Sequence, residues 1–89
     1  MLENLITEGV ALEAKAEEGE YTSKYFDCVE FEQWTSKVAM FFEINYAGSV
    51  VTEKVITKYK ACTVNNSYDV YQLLLGSLKA VKELATEEV

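Results

Sequence analysis

Few side chains in this sequence have the chemistry that catalysis requires. The strongest nucleophiles are Cys28 and Cys62, and Cys28 falls at the predicted start of a helix, where the helix dipole favours a thiolate. The 89-residue chain has no His to serve as a base, and the negative charges of Asp27 and Glu30 oppose a thiolate nearby. We therefore predict that Cys28 is a structural or incidental thiol and that the protein is not an enzyme.

The other polar patterns give no cofactor or metal site. Zinc sites usually combine cysteine with histidine, and two cysteines alone would need carboxylates to complete the ligand set. The four glycines stand alone at positions 9, 19, 48 and 76 and form no phosphate loop. Carboxylate pairs such as Glu17 with Glu18 and Glu87 with Glu88 fall at predicted chain ends. They lack the apolar pocket that would separate the pKa values of two carboxyls for acid–base catalysis. We expect no catalytic residue, no cofactor, no metal and no small-molecule ligand.

The charge pattern argues against nucleic acids and membranes. The net charge is −7 and Arg is absent, whereas nucleic-acid affinity depends on neutralising phosphates. We interpret Lys54, Lys58 and Lys60 as a solvated helix face. No apolar run approaches the ~20 residues of a membrane span, and no basic region precedes an apolar one at the N-terminus. Two cysteines without a secretion signal are expected to be free thiols in a reducing cytoplasm.

The first two predicted helices are defined by apolar residues at steps of three and four. Residues 2–16 form such a stripe, and Gly9 within it indicates close approach of a neighbouring helix. Asp27 is the predicted N-cap of a second helix over residues 28–47, with Glu30 as its capping-box partner. Gly48 then suits the left-handed position that ends a helix.

The segment "FEQWTSKVAMFF" (31–42) holds the only Trp and three of the four Phe residues. Its aromatic side chains follow one helical stripe, which is typical of a core between partner helices. A ligand platform would be interrupted by polar groups that orient the ligand. We therefore interpret the cluster mainly as core.

The second half of the chain is less regular. Residues 50–62 contain β-branched residues that favour a strand, yet their apolar spacing and Ser49 as an N-cap favour a short helix. We predict the helix, because a lone strand would leave its backbone unpaired. The turn at 64–67 precedes a last helix, capped by Asn66 or Ser67. Gly76 in that helix is predicted to cross Gly9 closely.

These patterns predict an all-α fold: one domain over residues 1–89, built as a compact antiparallel four-helix bundle whose third helix is the least certain. The predicted core consists of Leu5, Leu12, Phe31, Trp34, Val38, Phe41, Leu74, Leu78 and Val81.

The segments "LITEGVAL" (5–12), "FEQWTSKVAMFF" (31–42), Gly48 and "YQLLLGSLKAVKEL" (71–84) resemble a small bacterial helical domain. Such domains precede other modules, including Toll/interleukin-1 receptor-like and other effector domains tied to phage defence. Val10 departs from the pattern, since an acidic residue is common there. The resemblance implies an adaptor or regulatory bundle that can self-associate, serves as the N-terminal part of a longer protein and has no catalytic residues.

We expect a protein–protein interaction, adaptor or oligomerisation domain. Tyr21, Tyr25 and Tyr46 fall in or beside connections, where a large ring with a polar tip suits a partner contact. The alternative is a free-standing acidic regulator or inhibitor from a phage or mobile element, which would need its acidic residues in one continuous patch. A small-molecule site would need polar groups converging on a pocket at Trp34.

Overall fold

A computed structural model describes residues 1–19 and 24–87 of the chain. The described residues form four α-helices: α1 (Leu2–Leu12), α2 (Val29–Asn45), α3 (Val50–Lys60) and α4 (Ser67–Glu87). A 3-10 turn, Glu13–Lys15, follows α1, and two short antiparallel strands, β1 (Glu17–Glu18) and β2 (Lys24–Tyr25), precede α2. The predicted all-α four-helix bundle is confirmed, and residues 50–60 are helical. The two short strands were not predicted.

Contacts between side chains give the helix directions. Glu3 of α1 pairs with Lys82 of α4 at 2.8 Å, and Glu8 pairs with Lys37 of α2 at 2.6 Å. Just beyond the end of α1, Lys15 pairs with Glu30 near the start of α2, and Glu13 accepts from Tyr68 near the start of α4, so α1 runs antiparallel to both helices. Short connections turn the chain between α2 and α3 and again between α3 and α4.

The core follows the predicted stripes closely. Eight of the nine residues that the sequence assigned to the core are buried: Leu5, Leu12, Phe31, Trp34, Val38, Phe41, Leu74 and Leu78. Val81 is only partly buried and packs against the edge of this cluster. The core also contains Phe26, Phe42, Val55, Val70 and Tyr71. All four helices and the segment before α2 thus contribute to one apolar cluster.

Gly9 brings α1 against the aromatic centre of that cluster. A Cβ atom at position 9 would lie 2.7 Å from Cζ2 of Trp34 and 2.9 Å from Cδ1 of Leu75. The indole Nε1 donates to the carbonyl of Leu5 at 2.8 Å, and the Tyr71 hydroxyl donates to the carbonyl of Gly9 at 2.7 Å. The predicted close approach at Gly9 is confirmed, and its partners are α2 and α4.

The prediction that Gly76 takes part in this crossing is wrong. Apart from its chain neighbours and the nearby backbone of α4, no atom lies within 4 Å of a Cβ built on Gly76, and the residue is exposed. The helix α4 is rotated so that Leu75, the preceding residue, contacts the Gly9 region instead.

The predicted N-cap at Asp27 is also wrong. The helix α2 begins at Val29, so Cys28 occupies the N-cap position and makes no side-chain capping hydrogen bond. The cause lies in Phe26, whose buried ring stacks on Phe31 with centroids 4.6 Å apart. Anchoring Phe26 in the core sets where the chain enters α2, and this places Asp27 one residue before the cap.

The other residues expected at helix ends, Gly48, Ser49 and Ser67, lie where their residue types suggest. Ser49 caps α3, with its Oγ accepting from the backbone N–H of Thr52 at 3.1 Å. Gly48 has the left-handed backbone expected of it, with φ of 84°. Ser67 is buried, and its Oγ accepts from the backbone N–H of Phe26 at 2.8 Å. Ser67 therefore joins α4 to the segment before α2 across 41 residues of sequence.

Candidate protein-interaction surface

The structure separates the tyrosines that the sequence offered as partner contacts. Tyr21 lies outside the described residues. Tyr25 is half-buried in β2, near the end of α1. Tyr46 is exposed just after α2, beside the end of α4. Tyr25 and Tyr46 therefore lie at opposite ends of the bundle and do not form one surface.

Exposed apolar side chains are concentrated at the end that contains Tyr46. Ten large apolar residues in the described chain are exposed, and six of them belong to the segments that meet there. We call this set the apolar end: Met1, Ile44, Tyr46, Val50, Val51 and Leu84. Ile44 and Val50 are each 78% exposed and Leu84 is 61% exposed. A concentration of exposed apolar side chains at one end of a molecule is typical of a surface that binds another protein.

A cleft of about 270 Å³ opens within the apolar end. It is lined by Phe42, Tyr46, Ser49, Val51, Val81, Leu84 and Ala85. The Tyr46 ring packs against the rings of Phe41 and Phe42 with centroids 6.0 Å away in both cases. The Thr52 hydroxyl donates to the backbone carbonyl of Tyr46 at 2.7 Å. These contacts hold the tyrosine in place, so a partner would meet a preformed apolar surface with little ordering cost.

The opposite end of the bundle carries a polar cluster instead. The Tyr68 hydroxyl donates to one Glu13 carboxylate oxygen at 2.8 Å, and Lys24 Nζ lies 3.2 Å from the other. The bond from Tyr68 is the main reason that the pKa of Glu13 is lowered, with Lys24 contributing in the same direction. Hydrogen bonding to Glu13 in turn raises the pKa of both Lys24 and Tyr68. The cluster ties β2 to the 3-10 turn after α1 and to α4.

The two cysteines lie on one cleft at this same end, although they are distant in sequence. The cleft measures about 450 Å³ and is lined by both Cys28 and Cys62, with Glu32 among its other residues. Both thiols are free. Partial burial, followed by the charge of Glu32, raises the pKa of Cys62, which disfavours the reactive thiolate at neutral pH. Within the described residues, no group of three or more His, Cys, Asp or Glu side chains is arranged to hold a metal ion.

The surroundings of Trp34 do not converge on a ligand. The ring is 1% exposed at the floor of a groove of about 260 Å³ between α1 and α2, and its N–H is already bonded to α1. The charged residues around the groove pair with each other: Lys37 with Glu8 at 2.6 Å and Lys15 with Glu30 at 4.0 Å. These groups have protein partners, so the groove offers few polar groups to orient a small molecule.

Sequence reasoning missed most of the apolar end. Ile44 and Leu84 lie beside the buried stripes of their helices, and Val50 and Val51 lie in the apolar segment that begins α3. From sequence alone, all four therefore resemble core residues. Tyr46 alone was identified, through its position beside a connection. None of the helices in the described part of the chain has the length and apolar content to cross a membrane. No family model matches the chain, and no curated protein or solved structure is significantly similar to it.

Proposed function

We propose that this chain is a protein-interaction domain without catalytic activity of its own, and that the apolar end is its contact surface. The concentration of exposed Ile44, Tyr46, Val50, Val51 and Leu84 at one end carries the proposal. Burying such side chains against a partner contributes about 25 cal/mol for each Å² of apolar surface removed from water. The resemblance to domains that precede effector modules supports an adaptor role, and the two free thiols support placement in the cytoplasm.

The proposal is tested by placing a charge within the apolar end. Leu84→Glu and Ile44→Glu each introduce a carboxylate where a partner would have to desolvate it, so both should reduce partner binding at least tenfold. Val10→Glu is the matched control, because Val10 is also exposed but lies on α1 away from the apolar end. The readout is quantitative co-purification from a bacterial lysate, followed by titration with each purified partner.

The outcome that would contradict the proposal is a partner set that Leu84→Glu and Ile44→Glu retain unchanged. Circular dichroism and thermal melting should show that both variants remain folded, since the two native side chains are mostly exposed. Loss of binding in Val10→Glu as well would indicate a general effect of added charge rather than a defined surface.

The alternative function, a small acidic regulator, places the contact at the opposite end. Glu17 and Glu18 are exposed on β1 there, but the ion pairs of Lys15 and Lys24 break up the negative surface around them. The acidic residues therefore give weaker support than the apolar end. Under this alternative, a Glu17→Gln and Glu18→Gln double variant would lose its partner, whereas Leu84→Glu would keep it.

A further inference from the structure

The outer face of α2 carries an apolar side chain that the other helices leave exposed. Met40 on this face is 55% exposed and is not part of the apolar end. Beside Met40 a groove of about 240 Å³ runs between α2 and α3. We call it the α2–α3 groove, and it is lined by Ser36, Ala39, Met40, Glu43, Ile56, Tyr59 and Lys60.

Two residues of opposite charge mark the two ends of this groove. The hydroxyls of Ser36 and Tyr59 are 3.0 Å apart, which places Lys60 near the Ser36 end. Glu43 is seven residues beyond Ser36 on α2, or about 10 Å along the helix axis. Both Glu43 and Lys60 are exposed, and neither forms an ion pair with another described residue.

We propose that the α2–α3 groove binds a second copy of this chain about a twofold axis that passes near Met40. Rotation by 180° about such an axis brings Glu43 of one copy to Lys60 of the other, and the reciprocal pair forms by symmetry. The apolar lining between the two charges, Met40 and Ile56, faces its own equivalent. The same surface on two copies thus pairs its charged side chains and buries its apolar side chains.

A second copy fits this groove better than an unrelated partner does. An unrelated chain would need an acid and a base at the matching spacing, whereas symmetry supplies them automatically. The groove is small, so the dimer should be weak, with a dissociation constant in the micromolar range or above. Its two peripheral ion pairs should make it weaken as salt is added. The inference goes beyond the proposed function, because the α2–α3 groove shares no lining residue with the cleft at the apolar end.

Charge reversal tests the reciprocal pairing. Glu43→Lys gives a copy with two positive ends, and Lys60→Glu gives a copy with two negative ends. Each variant alone should be monomeric in sedimentation velocity at concentrations where the parent forms dimers. Mixed in equal amounts, the two variants should form a heterodimer, because both ion pairs are then restored. Its dissociation constant should be within a few-fold of the parent value.

Glu17→Lys serves as the control, since Glu17 is exposed on β1 at the other end of the bundle and does not line the groove. This control should dimerise like the parent. A parent chain that remains monomeric at several hundred micromolar in low salt would overturn the inference, and so would a mixture of the two reversed variants that does not associate. Neither result would affect the test at Leu84, so failures of the two proposals are distinguishable.

Discussion

Replacing Gly9 and Gly76 by alanine should have opposite effects on stability, although both glycines are helical. A Gly→Ala change within a helix favours folding by about 1 kcal/mol, because alanine restricts the unfolded chain and has the higher helix propensity. Apart from its chain neighbours and the nearby backbone of α4, nothing lies within 4 Å of the new methyl group at position 76. Gly76→Ala should therefore stabilise the protein by nearly this full amount, about 0.5–1 kcal/mol.

At position 9 the new methyl group would lie 2.7 Å from Trp34 Cζ2 and 2.9 Å from Leu75 Cδ1. Carbon atoms prefer separations of about 3.5–4.0 Å, so one of the groups must move by several tenths of an ångström or more. The Leu75 methyl can rotate, but the Trp34 ring is buried and bonded to the Leu5 carbonyl. Overpacking of this kind costs about 1–3 kcal/mol, and Trp34 places the cost near the upper value. After the gain in helix propensity, we expect a net loss of about 1–2 kcal/mol.

The assay is thermal unfolding followed by circular dichroism, with urea unfolding as a second measure. For a domain of this size, 1 kcal/mol corresponds to a shift in Tm of roughly 4–8 °C. Gly76→Ala should melt above the parent and Gly9→Ala below it. If Gly9→Ala melted at or above the parent, α1 would not be held as closely to Trp34 as the structure shows, and the reasoning would be refuted.

Two further predictions concern hydrogen bonds that link distant parts of the chain. Ser67→Ala should destabilise the protein by about 1–3 kcal/mol in urea unfolding, because it leaves the buried backbone N–H of Phe26 without its acceptor. Ser77→Ala is the control. It removes only a hydrogen bond within α4 and should change stability by less than about 0.5 kcal/mol. Equal effects of the two changes would contradict this assignment. Tyr68→Phe should raise the pKa of Glu13 toward its ordinary value, measured by NMR titration of the carboxyl carbon. The pKa of Glu13 is lowered in the folded state, so its contribution to stability is present above the unfolded-state pKa of about 4.5 and is lost as pH falls through the folded-state pKa. Tyr68→Phe should reduce this pH dependence of stability. An unchanged Glu13 titration in the variant would show that the Tyr68 hydroxyl does not set the pKa of Glu13.

The sequence was sufficient to predict where the helices lie along the chain, but not how each helix is rotated about its own axis. Apolar spacing identified all four helices. For the third, the lack of a partner for a strand decided correctly for a helix, in agreement with the apolar stripe and the Ser49 cap. Gly9 and Gly76 look equivalent in sequence, yet only Gly9 meets a neighbour. Which face of α4 turns toward α1 depends on packing over the whole core, and a single helix does not contain that information.

Long-range contacts also explain the other differences. Asp27 is a good N-cap by residue type, but the buried Phe26 and its bond to Ser67 decide where α2 begins. The apolar end was mostly missed for a related reason. Leu84 lies beside the buried stripe of α4, but that helix extends to the margin of the bundle, where the other helices no longer cover it.

The contact between Trp34 and α1 also means that the fluorescence of Trp34 should depend on whether α1 is docked. The only indole in the protein is shielded from water and donates its N–H to a carbonyl of α1. Its fluorescence emission should therefore be shifted to the blue, and hydration of the ring should shift it to the red whenever α1 detaches. Local opening of one helix can occur well below the free energy of global unfolding. Emission wavelength thus reports the docking of α1 without any added label.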